Sequence, residues 1–171
     1  MSTTFHLRVW TRFFAPTEAV WALKSDPAAI EAEFPLWAPF SIGDKAALLA
    51  GLGGALPVSM QGRIGPLAWP YTVDELEPGR RFRDVSTNAL FSRWEHQHIV
   101  EATPDGARYI DAVTFTPALP GPKFVAIAVK QLFVARHQAA ARKLPADALT
   151  VGVHVLRVLI EDEAADAEQG A

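Results

Sequence analysis

The chain has 171 residues, half of them apolar and a fifth charged, with a formal net charge of −3. That length suits one domain with a sizeable core, and the mild acidity without a basic run argues against nucleic acid as a partner. There are no cysteines, which excludes disulfides, zinc–thiolate sites and thiol chemistry. No apolar run reaches 18 residues, and no basic segment precedes an apolar one near Met1. Neither a membrane span nor a signal peptide is expected, and a cytoplasmic location is the default.

Phe5, Leu7 and Val9 alternate with His6, Arg8 and Trp10, which predicts a strand over 4–13. Pro16 suits a first helical position, and Val20, Trp21, Leu23 and Lys24 follow at helical spacing. Asp26 as N-cap and Pro27 behind it start a second short helix through Ile30. Residues 35–57 carry Pro35, Pro39, Pro57, Gly51, Gly53 and Gly54. They read as an irregular, lid-like segment with one or two helical turns from Asp44. A phosphate-binding glycine loop fails there, because no strand leads in and no Lys-Ser/Thr follows. Strands are predicted over 58–64, 69–77, 81–87, 91–101 and 108–117, and their short connections imply an antiparallel meander.

Phe124 to Leu144 has neither Pro nor Gly and predicts the longest helix. Phe124, Ile127, Ala128, Gln131, Leu132, Ala135 and Ala139 form its expected apolar stripe, turned to the sheet. Val151, Val153, Val155, Val158 and Ile160 predict one more strand. The reading is therefore a ligand-binding domain over 1–149, followed by an extra strand and a disordered acidic tail over 150–171. An apolar edge is not left open in a soluble protein. The tail strand is expected to pair with its own sheet or, as the alternative, with a second copy in a homodimer through residues 150–160.

One stretch stands apart. In Trp94-Glu95-His96-Gln97-His98-Ile99-Val100 the residues Trp94, His96, His98 and Val100 share a face, and Arg93, Glu95 and Gln97 share the other. In the next run Tyr109, Asp111, Val113 and Phe115 share a face. The turn Thr103-Pro104-Asp105-Gly106 places Ala102 opposite Ala107. Counting back, His98 faces Asp111, His96 faces Val113 and Trp94 faces Phe115. Two histidines, a carboxylate and large apolar groups on one sheet face are an unusual set for a plain core. Trp69 and Tyr71, alternating around Pro70, can face the same space.

Strand, two short helices, antiparallel strands and a long helix are the element order of the helix-grip fold. The chain resembles the SRPBCC or START-like superfamily, in its bacterial polyketide cyclase/dehydrase-like branch. The likeness rests on Pro78-Gly79-Arg80-Arg81-Phe82-Arg83-Asp84, on Trp94-Glu95-His96-Gln97-His98, on Gly106 with Asp111-Ala112-Val113, and on Leu132-Phe133-Val134-Ala135-Arg136-His137. It covers roughly residues 4–145. It implies an α+β fold in which a curved antiparallel sheet wraps the long helix around a cavity for a hydrophobic small molecule, lipid or polyketide-like. No cofactor is implied.

The candidate ligand-binding residues are Trp69, Tyr71, Trp94, His96, His98, Tyr109, Asp111, Val113 and Phe115. For His98 and Asp111 three readings stand side by side. They are a self-satisfied buried pair, a polar anchor for a ligand carbonyl or hydroxyl, or an acid/base dyad. The last would make the protein a cyclase/dehydrase-type enzyme with His96, His98 and Asp111 as catalytic candidates; a binding protein is the primary reading. Two histidines two residues apart can also present nitrogens to an ion with Asp111 as third ligand, but no metal is expected. Arg136 and His137 are explained most simply as cations near a helix C-terminus. A reach from Arg136 to a sheet carboxylate is the second choice.

Overall fold

The computed structural model describes residues 2–146 and the backbone of 152–159. Strand β1 (Thr3–Phe13) leads into helices α1 (Thr17–Ser25) and α2 (Pro27–Glu33). Then come β2 (Phe40–Ile42), α3 (Lys45–Leu52), β3 (Val58–Ile64), β4 (Leu67–Glu77), β5 (Arg81–Ser86), β6 (Phe91–Thr103) and β7 (Gly106–Pro117), followed by α4 (Pro122–Ala140) and β8 (Gly152–Leu159). The eight strands form one antiparallel sheet in the order β2-β3-β4-β5-β6-β7-β1-β8. β2 to β7 follow one another as a meander, as short connections dictate. The sheet curls around α4 in the expected α+β helix-grip arrangement. β8 pairs with β1 along the opposite edge from β2. The acidic stretch expected to be disordered, residues 161–171, lies outside the described residues.

The predicted register of the central hairpin is the observed one: Ala102 pairs Ala107, His98 pairs Asp111, His96 pairs Val113 and Trp94 pairs Phe115. Gly106 is required there. Its φ is +152°, and a Cβ would sit 2.2 Å from the Phe13 carbonyl oxygen. Residues 35–57 are more regular than expected, since they hold β2 and α3. Asp44 caps α3 by accepting a hydrogen bond from the Ala47 N–H at 2.9 Å. Beside it, Gly62 lets the Phe40 ring lie on β3, where a Cβ would come within 2.9 Å of that ring.

The long helix corrects a sequence expectation. Its buried side is Ala126, Val129, Phe133, Arg136, His137 and Ala140, not the predicted stripe. Phe124 is 78% exposed and Ile127 56%. The apolar count alone favoured the wrong side, because the side that meets the sheet carries an arginine and a histidine. Those two answer a carboxylate on β7. Two apolar clusters flank this polar centre. The larger joins Phe5, Leu7, Trp69, Trp94, Val113, Phe115 and Phe133 with many neighbours. The smaller joins Phe13, Ala15, Val20, Val100, Ala107, Tyr109 and Ala140.

Candidate functional site

Between the concave face of the sheet and α4 lies a cavity walled by Phe34, Phe40, Ile42, Leu48, Trp69, Tyr71, Phe82, Trp94 and Phe133, among others. Its polar wall is Asp84, His96, His98 and Arg136. The space that the centre of a water molecule can reach is about 70 Å³. That holds a few waters or one small ring, well short of the roughly 300–1,000 Å³ usual for a drug-sized ligand.

Of the residues singled out from sequence, Trp69, Tyr71, Trp94, His96 and His98 line this cavity. Tyr109, Asp111, Val113 and Phe115 do not; all four are fully buried behind its wall. They share a face with one another as predicted, but α1 and α4 lie over β7 and fill the space above them. Among the cavity residues that sequence reasoning did not assign are Asp84, Phe82, Phe133 and Arg136. For Asp84 a signal existed: it alternates with Phe82 on β5, so an apolar partner of the same parity marks its face as inward.

Register and hydrogen bonding diverge at the centre. His98 is opposite Asp111 in the ladder, and its Nδ1 lies 3.5 Å from Asp111 Oδ1, but its hydrogen bonds go elsewhere. His98 Nε2 lies 3.0 Å from Asp84 Oδ2, and Nδ1 lies 2.8 Å from the Tyr109 hydroxyl. Asp111 is instead the hub of a different set. His96 Nε2 donates to its Oδ1 at 2.9 Å, and the Tyr109 hydroxyl donates to the same oxygen. His137 Nε2 donates to Oδ2 at 3.2 Å, while His137 Nδ1 accepts from the Thr11 hydroxyl at 2.8 Å. The remaining nitrogen of His96, Nδ1, lies 3.2 Å from Asp84 Oδ2. A strand residue faces its partner by backbone pairing, but a long ring reaches diagonally, which is why the facing pair is not the bonded pair.

Around this hub the charges are buried and interleaved. Lys24 donates to Glu33 Oε2 at 2.7 Å, with both side chains essentially inaccessible. The Lys24 ammonium also sits 4.1 Å from the centre of the Tyr109 ring. Arg136, on α4, is 3% exposed. Its nearest carboxylate oxygens, on Glu33 and Asp111, are 3.9 Å away, and its Nε has no hydrogen-bond partner among the described residues. Its guanidinium rests on the faces of Phe34 and Phe133, at 4.6 and 5.1 Å. Arg136 and His137 are thus not surface cations favoured by a helix end. Arg136 reaching toward a sheet carboxylate was the better of the two expectations.

Protonation follows from this packing. Burial alone would raise the Asp111 pKa, but the charges of His96 and Arg136 and the hydrogen bonds from His137 and His96 hold it well below the usual carboxylate range. Asp84 is likewise held low against burial by His96 and His98. Burial pushes His96 down, yet the Asp84 and Asp111 carboxylates outweigh it and the net shift is upward. For His98, burial and then the charge of His96 prevail, and its pKa falls to about 4. Burial also lowers His137 and Lys24, despite the carboxylates beside them.

Among the described residues, no helix is long and apolar enough to cross a membrane. No curated protein matches the chain. Among solved structures it is similar to the Zhui aromatase/cyclase from a Streptomyces species, at 14% identity and a TM-score of 0.65, over 82% of this chain and 93% of that one. It is also similar to the nucleoside-diphosphate sugar epimerase from Corynebacterium glutamicum, at 20% identity and a TM-score of 0.61 over 79% of this chain, but it spans only 28% of that protein. The di-domain ARO/CYC StfQ from the steffimycin biosynthetic pathway has 11% identity and a TM-score of 0.59, over 81% of this chain and 49% of that one. At such identities the likeness is one of fold. The family model described as a domain of unknown function, DUF8410, matches residues 11–144. That match takes in α1 through α4 and the whole cavity wall, and the chain belongs to the DUF8410 domain family.

Proposed function

We propose that this chain binds a small, largely apolar molecule between the sheet and α4, and that an oxygen of the ligand turns toward Arg136. The observation that carries this reading is the guanidinium itself. It lines a largely apolar cavity beside Asp84, His96 and His98, is almost wholly buried, and its Nε has no hydrogen-bond partner among the described residues. Buried donors are ordinarily paired, and leaving one unpaired costs about 1–3 kcal/mol. A ligand carbonyl or hydroxyl would supply the missing acceptor. Apolar walls with a few placed polar groups are the usual design of a small-molecule site.

The SRPBCC or START-like assignment belongs to the same reading and is supported by the shared fold of aromatase/cyclase structures. A lipid or fused-ring polyketide would need more room than the present cavity offers. The segment from Phe34 to Leu52 supplies Phe34, Phe40, Ile42 and Leu48 to the wall and carries exposed Leu36 and Trp37, so it is the part to be displaced. The cyclase alternative asks for an imidazole with a free nitrogen. All four nitrogens of His96 and His98 approach protein oxygens within 3.2 Å, which favours binding over acid/base turnover.

Acetophenone and ethylbenzene have nearly the same shape and differ by one carbonyl, so calorimetric titration with each tests the proposal. Acetophenone should bind more tightly by roughly 10–100-fold, the worth of a hydrogen bond from a charged donor. Arg136→Met should erase the difference. Equal affinities in the parent protein, or no saturable binding of either compound, would refute the proposal.

A further inference from the structure

The polar wall of the cavity has the form of a metal site. Asp84, His96 and His98 each offer one ligand atom, and those atoms lie within 4.8 Å of one another. Asp84 Oδ2 is 3.0 Å from His98 Nε2 and 3.2 Å from His96 Nδ1. Ligands bonded at about 2.0–2.1 Å to a tetrahedral ion stand about 3.3–3.4 Å apart. The two observed edges need to open by only a few tenths of an ångström. All three residues sit on adjacent strands, with Asp84 paired to His96 and Phe82 paired to His98. The sheet therefore fixes their spacing.

The far side of each ring makes the stronger case. His96 Nε2 is held by Asp111 Oδ1, and His98 Nδ1 by the Tyr109 hydroxyl, which in turn donates to Asp111. Metal-bound histidines characteristically have the second nitrogen anchored in this way, which sets the tautomer and aims the first nitrogen at the ion.

A proton inventory points the same way. A neutral His98 has one N–H, and the Tyr109 hydroxyl has one O–H. Three contacts must share these two protons: His98 to Asp84, His98 to Tyr109, and Tyr109 to Asp111. If Tyr109 donates to Asp111 and His98 Nδ1–H donates to Tyr109, then His98 Nε2 and Asp84 Oδ2 face each other as two bare acceptors. If His98 Nε2–H donates to Asp84, the bare pair moves to Tyr109 and Asp111. A cation held by His98 Nε2, His96 Nδ1 and Asp84 Oδ2 removes the conflict and leaves every other contact with one proton.

We infer that Asp84, His96 and His98 bind one divalent transition-metal ion, with Zn²⁺ as the natural occupant, whose fourth position opens into the cavity. Two imidazoles and one carboxylate suit such an ion, and three protein ligands with one open position are the arrangement of catalytic rather than structural zinc. The ion would share the cavity with the proposed ligand, but the two proposals are independent: the metal does not require an apolar ligand, nor the ligand a metal.

Titration with Co²⁺ of full-length protein stripped by chelator tests this, read by visible absorption and by metal content after gel filtration. One ion per chain is expected, with the intense visible bands of tetrahedral cobalt. Asp84→Asn, nearly the same shape, should lose both. Tyr109→Phe, which removes the anchor behind His98 and one donor to Asp111 while leaving all three ligands in place, should weaken binding roughly 10–100-fold. His6→Ala, remote from the cluster, should bind as the parent does. Zn²⁺ should raise the melting temperature of the parent and not that of Asp84→Asn, and circular dichroism shows whether each variant is folded. Substoichiometric, octahedral cobalt in the parent, or equal binding by folded Asp84→Asn, would overturn the inference. Either result would leave the acetophenone comparison untouched.

Discussion

On β6, Arg93, Glu95 and Gln97 point outward while Trp94, His96 and His98 point inward, and the two faces hold charge under different conditions. Outward, Arg93 pairs with Glu95 at 2.8 Å with both side chains well exposed. Inward, two further carboxylates, a lysine, an arginine and three histidines are packed out of solvent around Asp111. In water each outer group has an alternative partner, so its pairing contributes little. Inside there is none, so each group depends on the others being present. Burial sets the energetic stakes of each contact here, and the number of contacts does not.

The sharpest way to break this contrast is Asp111→Ala. It leaves His96, Tyr109, His137 and Arg136 facing an empty acceptor site, and should cost about 3–5 kcal/mol in urea melts, the range for a broken buried charge network. A loss under 1 kcal/mol would mean that water enters the core and that the two faces do not differ. Lys24→Met should cost nearly as much, because Glu33 is left buried and charged. The double variant Lys24→Met with Glu33→Leu should recover most of it, since paired apolar replacement is often neutral. Additive losses would show that each group is stabilised separately.

Stability against pH follows from the histidines, measured in chelator-containing buffer. The folded pKa of His98 is about 4 against about 6.5 unfolded. The unfolded chain therefore takes up a proton between those values that the fold refuses, and stability falls as pH drops from about 6.5 to 4, by on the order of 3 kcal/mol from this group. His137 acts in the same direction. His96 is shifted upward, so its contribution is full below about 6.5 and fades as pH rises through its folded pKa. Asp84 and Asp111, both held low, contribute above about 4 and lose that contribution as pH falls further. Maximum stability near pH 6.5 is expected. A flat profile from pH 4 to 8 would contradict the assigned protonation states.

His98→Ala should cost about 1–3 kcal/mol, because Asp84 and Tyr109 both lose a buried partner. Gln97→Ala, one residue away on the other face, should stay within about 0.5 kcal/mol. Matching losses would erase the distinction between faces that β6 displays.

Much of this contrast was legible in the sequence. Period-two alternation placed Trp94, His96 and His98 on the inner face, and the Thr103–Gly106 turn set their register against Tyr109–Phe115 correctly. What alternation does not encode is which ring reaches which oxygen. His98 was expected to bond the residue opposite it, but the diagonal pairings with Asp84 and Tyr109 depend on side-chain direction across three strands. The helix was harder still. Counting apolar residues favours the side with Phe124 and Ile127, whereas the buried side was selected by Asp111, a charge on another element. Lys24 and Glu33 were invisible for the same reason. A charged residue reads as exposed until its partner, nine residues away on the next helix, is brought beside it.

The smallest effect belongs to the best-formed outer pair. Arg83 grips Asp74 with two hydrogen bonds, Nε to Oδ1 at 3.0 Å and Nη2 to Oδ2 at 2.8 Å, and also approaches Glu75 at 2.7 Å. Asp74 and Glu75 lie where the β4–β5 register shifts between Val73 and Glu75, so both carboxylates turn toward one guanidinium. A two-pronged geometry on a half-exposed surface is the strongest case the outer face can offer. Even so, both ions keep access to water and bulk salt, and Arg83→Lys should cost no more than about 1 kcal/mol. Salt separates this pair from the inner network more cleanly than size does. Raising ionic strength toward 1 M shrinks the screening length to about 3 Å, so the difference between parent and Arg83→Lys should largely vanish. The loss on Asp111→Ala should persist at the same salt, because counterions do not reach a carboxylate sealed beneath α4. Should the Asp111 effect fade with salt as fast as the Arg83 effect, the inner cluster is hydrated, and the two faces of the sheet differ in degree alone.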